Sequence, residues 1–245
     1  MNEARGKRMN LLAFDTSTDT MSIAVQRDAD GVAVLYRHTA AGGAHTSTHL
    51  IPEIQRLMAL AQLRFENLDA IVFGAGPGSF TGLRTACSVA QGLAFGAAVP
   101  VLPVDTLLAV AEEARWQNGA TQTFAVTALL DARMDELYTA DYVFASGIWT
   151  QCSKDRLIKP ENLGWNGVNV LAGNVFNGYG ARLPQRAART IVQPTATALL
   201  RLAPALLSKG AGVSAEQALP TYIRDKVAQT TLERSASKAL AGVAP

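Results

Sequence analysis

Ile71-Val-Phe-Gly-Ala-Gly-Pro-Gly-Ser-Phe-Thr-Gly-Leu-Arg84 is the stretch whose reading decides the fold. It reads as a buried strand over Leu68–Phe73, a loop with glycines at 74, 76, 78 and 82, and a helix running to about Ala98. Glycines at such a turn permit positive φ and close backbone approach. The helix start beyond them offers free N–H groups and a positive dipole end to an anion or a partner. The loop departs from the standard nucleotide patterns. Walker A requires Lys-Ser/Thr after its last glycine, whereas Gly82 is followed by Leu83-Arg84. The G-x-G-x-x-G fingerprint fails because Gly74 and Gly76 lead to Ser79, and Gly76 and Gly78 lead to Thr81. From the residues alone, Gly76, Gly78, Ser79, Thr81, Gly82 and Arg84 form either a phosphate loop or an interface loop.

The helix that follows lacks a polar face. Between Leu83 and Ala98 its strongly polar side chains are Arg84 and Gln91. Ala86, Ala90, Ala94 and Ala98 form one stripe of small residues, and Ser88, Gly92 and Gly96 form a second on roughly the opposite side. An amphipathic surface helix carries a polar stripe. Two readings stay open: a helix wedged inside its own domain, or one packed on its sheet on one side and on another subunit on the other.

Outward from this unit, Asn10–Phe14 is a strand ending on the hydroxyl-rich turn Asp15-Thr-Ser-Thr18. Met21–Gln26 and Gly31–Tyr36 alternate as two further strands around the Asp28–Gly31 turn. Leu50, Ile54, Leu57, Met58 and Ala61 keep a helical period after hydroxyl caps at Thr46–Thr48. Val99–Val104 adds a strand, so residues 9–104 read β-β-β-α-β-α-β. A helix over Thr106–Gln117, a β-rich run from Thr123, a short strand Asn169–Ala172 closed by Gly173-Asn174, and a helix Ala196–Leu207 make a second unit over residues 105–228. That last helix is free to pack back on the first unit. Residues 229–245 lack apolar rhythm and read as a disordered tail. No repeat is visible at residue level.

At 245 residues, 49% apolar and 17% charged, the composition is globular, and a net charge of +2 is too small for a nucleic-acid-coating surface. Cys87 and Cys152 lack metal-ligand spacing and fit a reducing compartment. Met9–Phe14 is too short for a signal-peptide core, and no stretch approaches a membrane span, so a cytoplasmic location is expected.

Asp15, Thr16, Ser17 and Thr18 form a plausible Mg²⁺–phosphate turn, or equally a plain hydroxyl-capped turn. Asp131-Ala-Arg133 follows an apolar strand and could face the same cleft. Ala132 and Arg133 stand where glycines would let backbone N–H groups wrap a phosphate, so an ion pair or turn role is at least as well supported. His45 and His49 share a helical face, but Thr46 occupies the glutamate position of HExxH, and a solvated helix start is the simpler reading. No metal site is expected. No nucleophile–base pair is visible.

Phe14-Asp-Thr-Ser-Thr18, Gly76-Pro-Gly-Ser-Phe-Thr-Gly-Leu-Arg84, Gln91-Gly-Leu-Ala94, Val104-Asp-Thr-Leu107, Asp131-Ala-Arg133, Glu136-Leu-Tyr138 and Pro220-Thr-Tyr-Ile-Arg224 occur in that order. Together, over roughly residues 10–226, they closely resemble the TsaB (YeaZ) family, bacterial subunits for threonylcarbamoyladenosine (t6A) modification of tRNA. The resemblance implies an α/β fold of the actin/Hsp70/sugar-kinase (ASKHA) type, two RNase-H-like lobes around a cleft. It further implies a non-catalytic subunit that docks and activates the TsaD threonylcarbamoyltransferase together with the ATPase TsaE. In TsaD the corresponding strand leads to an H-x-x-x-H metal pair, and here that place reads Thr106–Val110; its GG-type adenosine motif is reduced to Gly173-Asn174. The family's docking surface is a four-helix bundle built from the helices near 47–62 and 82–98. By resemblance it involves Leu50, Ile54, Leu57, Ala86, Ser88, Ala90 and Gly92. Ala90→Arg or Gly92→Leu is then expected to block docking in a folded monomer. A homodimer is expected when the chain is alone, with tRNA touched only indirectly, no firm cofactor, and ATP or ADP conceivable at the partner interface. The competing class is a self-sufficient ATP-dependent enzyme of sugar-kinase type. A metalloprotease is opposed by the lack of ligands at Thr106 and Val110.

Overall fold

The computed structural model describes residues 9–43 and 46–224. Strand β1 (Leu11–Asp15) is buried at every position, as befits an apolar run with a strand on each side. It pairs antiparallel with β2 (Thr20–Ala29) and parallel with β4 (Ala70–Gly76). β2 turns into β3 (Val32–Ala41) through Asp30 and Gly31, whose φ angles of +52° and +79° are those of a two-residue hairpin turn. β5 (Val101–Asp105) completes the order β3-β2-β1-β4-β5. Both hairpin strands run past the ends expected from alternation, because the backbone ladder continues where side chains turn polar at Arg27 and Asp28.

Successive residues of β1 feed opposite faces. Leu12 and Phe14 join a core with Ile71 and Phe73, covered by α1 (Thr46–Leu60) and α2 (Phe80–Ala97). Leu11 and Ala13 join a second core with Val72 and Leu102, covered by α3 (Thr106–Gln117) and by a helix at Ala196–Ser208.

The second sheet is a meander, β6 (Thr123–Arg133), β7 (Glu136–Ala145) and β8 (Ile148–Gln151), with β9 (Arg156–Ile158) also on β7. β10 (Val170–Gly173) lies parallel to β6, and β11 (Arg189–Ile191) parallel to β10. The order β8-β7-β6-β10-β11 repeats that of the first sheet: a meander, then two successive strands parallel to its first strand. α3 serves both sheets, since Leu107, Val110, Ala111 and Ala114 pack on Val126, Ala128 and Leu130. The far face of the second sheet is closed by loops and a four-residue helix, α4 (Phe176–Tyr179), through Leu163, Val175 and Leu183.

The helix at Ala196–Ser208, α5, packs on β1, β2 and β4. Val213 bridges to Val101, and the Thr221 amide donates to the Ala75 carbonyl. Much of the described chain after residue 105 thus returns to the first sheet. The expected tail, 229–245, lies outside the described residues.

Candidate functional site

β1 ends on Asp15, which is fully buried, with Thr16 and Ser17 at 1% and 2% exposure. Asp15 Oδ1 accepts from the Ser17 amide at 2.9 Å and the Ser17 hydroxyl at 2.7 Å, a local turn typical of aspartate. Thr16 donates its hydroxyl to the Gly82 carbonyl at 2.7 Å, and the Ser17 carbonyl accepts from the Ser79 amide at 2.7 Å. The glycine loop lies directly on this turn. A Cβ at Gly74 would stand 1.8 Å from Asp15 Oδ2, one at Gly78 2.6 Å from Ser17 Cβ, and one at Gly82 1.9 Å from the Thr16 carbonyl oxygen. These glycines serve the packing of one turn on another. Of the two readings of the turn, its hydrogen bonds are those of a hydroxyl-capped turn: Asp15 and Thr16 are turned inward, while Ser17, half-buried Thr18 and exposed Asp19 line the neighbouring cavity. Burial pushes the Asp15 carboxyl up to about 6 against the two Ser17 donors, and Oδ2 has no partner.

Ser79 caps α2, and Thr81 is exposed on its first turn. Between this loop and the β6–β7 hairpin lies a cavity of about 270 Å³, walled by Ser79, Phe80, Arg133, Asn174, Tyr222 and Arg224 among others. Asp131 accepts from the Arg133 amide at 2.8 Å and the Tyr179 hydroxyl at 3.0 Å. Its side chain pairs with Arg133 at 3.4 Å, and Arg133 reaches across to Asp19 at 2.5 Å. That is the ion-pair alternative for Asp131 and Arg133. Gly173 lies beneath the wall, where a Cβ would be 1.8 Å from the Leu129 carbonyl oxygen, and its neighbour Asn174 is the residue that reaches the cavity. Arg133 faces Asp19 and Asp131, Arg224 faces Glu136, and Arg182 nearby faces Asp135 and Glu161. Arg133, Arg182 and Arg224 around the cavity mouth are thus matched by carboxylates, and Arg84 lies 3.8 Å over the Phe80 ring.

Sequence reasoning missed Asp19, Asn174, Tyr179 and the part played by Tyr222 and Arg224. Pro220–Arg224 stands out as a motif, but no spacing rule ties residue 224 to residue 136. Of the histidine pair, His45 lies outside the described residues and His49 is exposed. Among the described residues no group of three or more His, Cys, Asp or Glu side chains could hold a metal ion, and no helix is long and apolar enough to cross a membrane.

The helical face expected to meet a partner needs correction. Leu50, Ile54, Leu57, Ala86 and Ala90 are all at or below 1% exposure, packed in the chain's own core. The apolar period of α1 and the alanine stripe of α2 mark the inward faces, because the sheet behind them needs apolar cover first. Ser88 and Gly92 do face outward, beside Gly96 and Phe95, which is 81% exposed; α1 adds Ile51 at 41% and Leu60 at 53%. Ala90→Arg would therefore attack the fold rather than a docking face, while Gly92 has open space around its Cα.

This arrangement has close relatives. A model of the family described as "TsaD: tRNA N6-adenosine threonylcarbamoyltransferase" matches residues 37–232. The tRNA threonylcarbamoyladenosine biosynthesis protein TsaB of Escherichia coli (strain K12) is 32% identical over 231 residues, covering 90% of this chain and 96% of that protein. The chain belongs to the TsaB (YeaZ) family. The TsaB of Haemophilus influenzae is likewise 32% identical, over 90% of this chain and 96% of its own length. The solved structure of YeaZ from Pseudomonas aeruginosa superposes with a TM-score of 0.79 at 37% identity, covering 88% of this chain and all of that one. That YeaZ structure thus shares this α/β architecture over most of the chain, and the glycine loop lies within the residues the family model matches.

Proposed function

We propose that this chain is a non-catalytic accessory subunit for t6A modification of tRNA, of the actin/Hsp70/sugar-kinase type with two RNase-H-like lobes. In this reading it works in the cytoplasm, docking and activating a TsaD-type transferase that a TsaE-type ATPase joins. The repeated strand order of the two sheets supports the two-lobe description, and the relatives named for t6A biosynthesis support the pathway. The observation that carries the non-catalytic reading is the inward turn at 15–17. Its carboxylate and hydroxyls, the groups a Mg²⁺–phosphate site would use, are bound to the glycine loop and to one another. The carboxylate-matched arginines around the cleft favour no polyphosphate either. What remains outward on α2 is the Ser88, Gly92, Phe95 and Gly96 face, small and apolar enough to let a partner helix approach closely. The same face would hold two copies together when the partner is absent, and any ATP or ADP would bind at the partner boundary rather than in this cleft.

The test is reconstituted modification of tRNA from threonine, bicarbonate and ATP, using TsaC-, TsaD- and TsaE-type proteins with and without this chain. Product that depends on the chain, with none from the chain lacking the TsaD-type subunit, is the expected result. Equal product on omission would overturn the reading. So would ATP turnover by the isolated chain, which would return the sugar-kinase-like alternative.

A further inference from the structure

Residues 218–224 cross from the first sheet to the second over the mouth of the cleft. The near end is fixed along α2. The Ala218 carbonyl accepts from the Gln91 side-chain amide at 2.8 Å and the Cys87 thiol at 3.2 Å, and the Thr221 amide donates to the Ala75 carbonyl at 2.7 Å. Gly76, at φ +123°, admits this segment: a Cβ there would stand 2.4 Å from the Thr221 carbonyl oxygen. In the middle, the Tyr222 ring lies 5.3 Å from that of Phe80, and its hydroxyl accepts from Arg84 Nε at 3.3 Å. At the far end Ile223 packs against the core of the second sheet, and Arg224 supplies the polar hold. Arg224 donates to the Glu136 carboxylate at 2.5 Å and to the carbonyls of Ala132 and Arg133 at 3.3 and 3.4 Å.

The hairpin it grips is conformationally strained. Arg133, Met134 and Asp135 all take left-handed φ angles, +61°, +55° and +62°, although none is glycine. Such residues persist only where their surroundings hold them, and the guanidinium on two of the hairpin's carbonyls is such a hold. The other tie across the mouth, Arg133 to Asp19, joins side chains that are 65% and 77% exposed, so water screens it heavily. On the remaining side the sheets are joined through α3 and α5.

We propose that residues 218–224 form a releasable strap that holds the cleft closed, with Arg224 as its latch and the 131–136 hairpin as its catch. Releasing the latch frees Tyr222 and Arg224 from the mouth and lets the hairpin leave its left-handed conformation. The near end stays on α2, where a main-chain hydrogen bond and two donors on one carbonyl hold it. Among the described residues the polar hold on the catch is thus a single exchangeable side chain, beside the apolar contact of Ile223.

The test uses the full chain carrying Cys152→Ser, with spin labels at Thr81→Cys and Asn177→Cys on the two sides of the mouth. Arg224→Gln is expected to add a longer-distance population to a single narrow distribution. The amides of residues 131–136 and 219–223 should also exchange about tenfold faster or more, the factor expected for loss of charge-assisted hydrogen bonds, with β1 and β4 unchanged. Both changes are required. Faster local exchange at an unchanged distance would overturn the strap and leave only a local tie on the hairpin, as would unchanged behaviour in both. Should Arg224→Gln fail to fold, Glu136→Gln removes the charge at the catch and is read by the same two measurements.

Discussion

Gly82 and Gly92 sit ten residues apart on one helix and demand opposite things of a methyl group. At Gly82 the methyl would meet a main-chain carbonyl oxygen at 1.9 Å, and backbone cannot step aside cheaply. Gly82→Ala should therefore cost about 1–3 kcal/mol or more of stability, the range for overpacking a tight interior. At Gly92 nothing lies within 4 Å, and Gly92→Ala should stabilise by about 0.5–1 kcal/mol through helix propensity. Urea unfolding of the two variants beside the parent chain reads both signs at once. A buried carboxyl and a half-buried one make a second residue-level prediction. Burial pushes Asp15 up to about 6, and burial followed by the nearby Asp155 pushes Asp105 up to about 7. The folded chain then holds protons that the unfolded chain, titrating near 4, has already released. The stability this contributes is complete below about pH 4 and is lost as pH rises through 6 to 7. Unfolding free energies measured at pH 5 and pH 7.5 should differ by less in Asp105→Asn than in the parent. The asparagine still caps α3 at Leu108 but cannot ionise. An equal difference in the two chains would place the titration elsewhere.

At the scale of elements, α1 and α2 show what a pattern can and cannot give. The spacing of Leu50, Ile54, Leu57 and Met58 locates α1, whose observed span is Thr46–Leu60, and Thr106–Gln117 was legible to the residue. Both follow from the same physics, since a helix must bury one stripe against something. Pattern is silent on which something: the alanine stripe of α2 looks as suited to a partner as to a sheet, and only the fold shows that its own β4 and β1 claim it. The short edge strands β8, β9 and β11 were invisible because their side chains are largely exposed and carry no alternation. The sequence left Asp15–Ser17 open between a phosphate turn and a plain capped turn for a related reason. Glycines written for close approach do not say whether the approaching group is a phosphate or another turn. The docking face follows from exposure instead. Phe95→Asp should leave the unfolding free energy within about 0.5 kcal/mol of the parent, as surface changes do, and Gly92→Leu should not lower it, while each weakens association by tenfold or more. Sedimentation of the chain alone and with a TsaD-type subunit checks this, and unchanged association in both variants would move the interface off α2.

Across the whole molecule, the two sheets share one strand order without a residue-level repeat, because the order is kept by which strands are apolar on both faces rather than by particular side chains. What joins the sheets is more specific. Glu112 on α3, its side chain 3% exposed, accepts from Arg115 Nε at 2.8 Å, from Arg201 Nε on α5 at 2.7 Å, and from Trp149 Nε1 on β8 at 3.0 Å. One carboxylate thereby ties the helix shared by both cores to the helix of the first sheet and to the edge of the second. Burial alone would raise its pKa, yet the hydrogen bonds from Arg115, Trp149 and Arg201 hold it below the ordinary range. Its contribution is therefore present at neutral pH and is lost only as pH falls through the acid range, opposite in sign to Asp15 and Asp105. Glu112→Ala strands two guanidiniums and an indole N–H in a largely buried place, and should cost about 3–5 kcal/mol, the penalty for breaking a buried pair from one side. Glu112→Gln keeps the shape and one acceptor oxygen and should cost less. Arg201 also pairs with Glu113 at 2.6 Å, so removing it leaves two carboxylates short, and Arg201→Met should be damaging in its own right. The double variant Glu112→Gln with Arg201→Met should then lose less than the sum of its single losses, since the two residues share one network. Denaturant unfolding of the three variants measures that coupling, and strict additivity would mean that the sheets are held together by apolar packing on α3 and α5 alone.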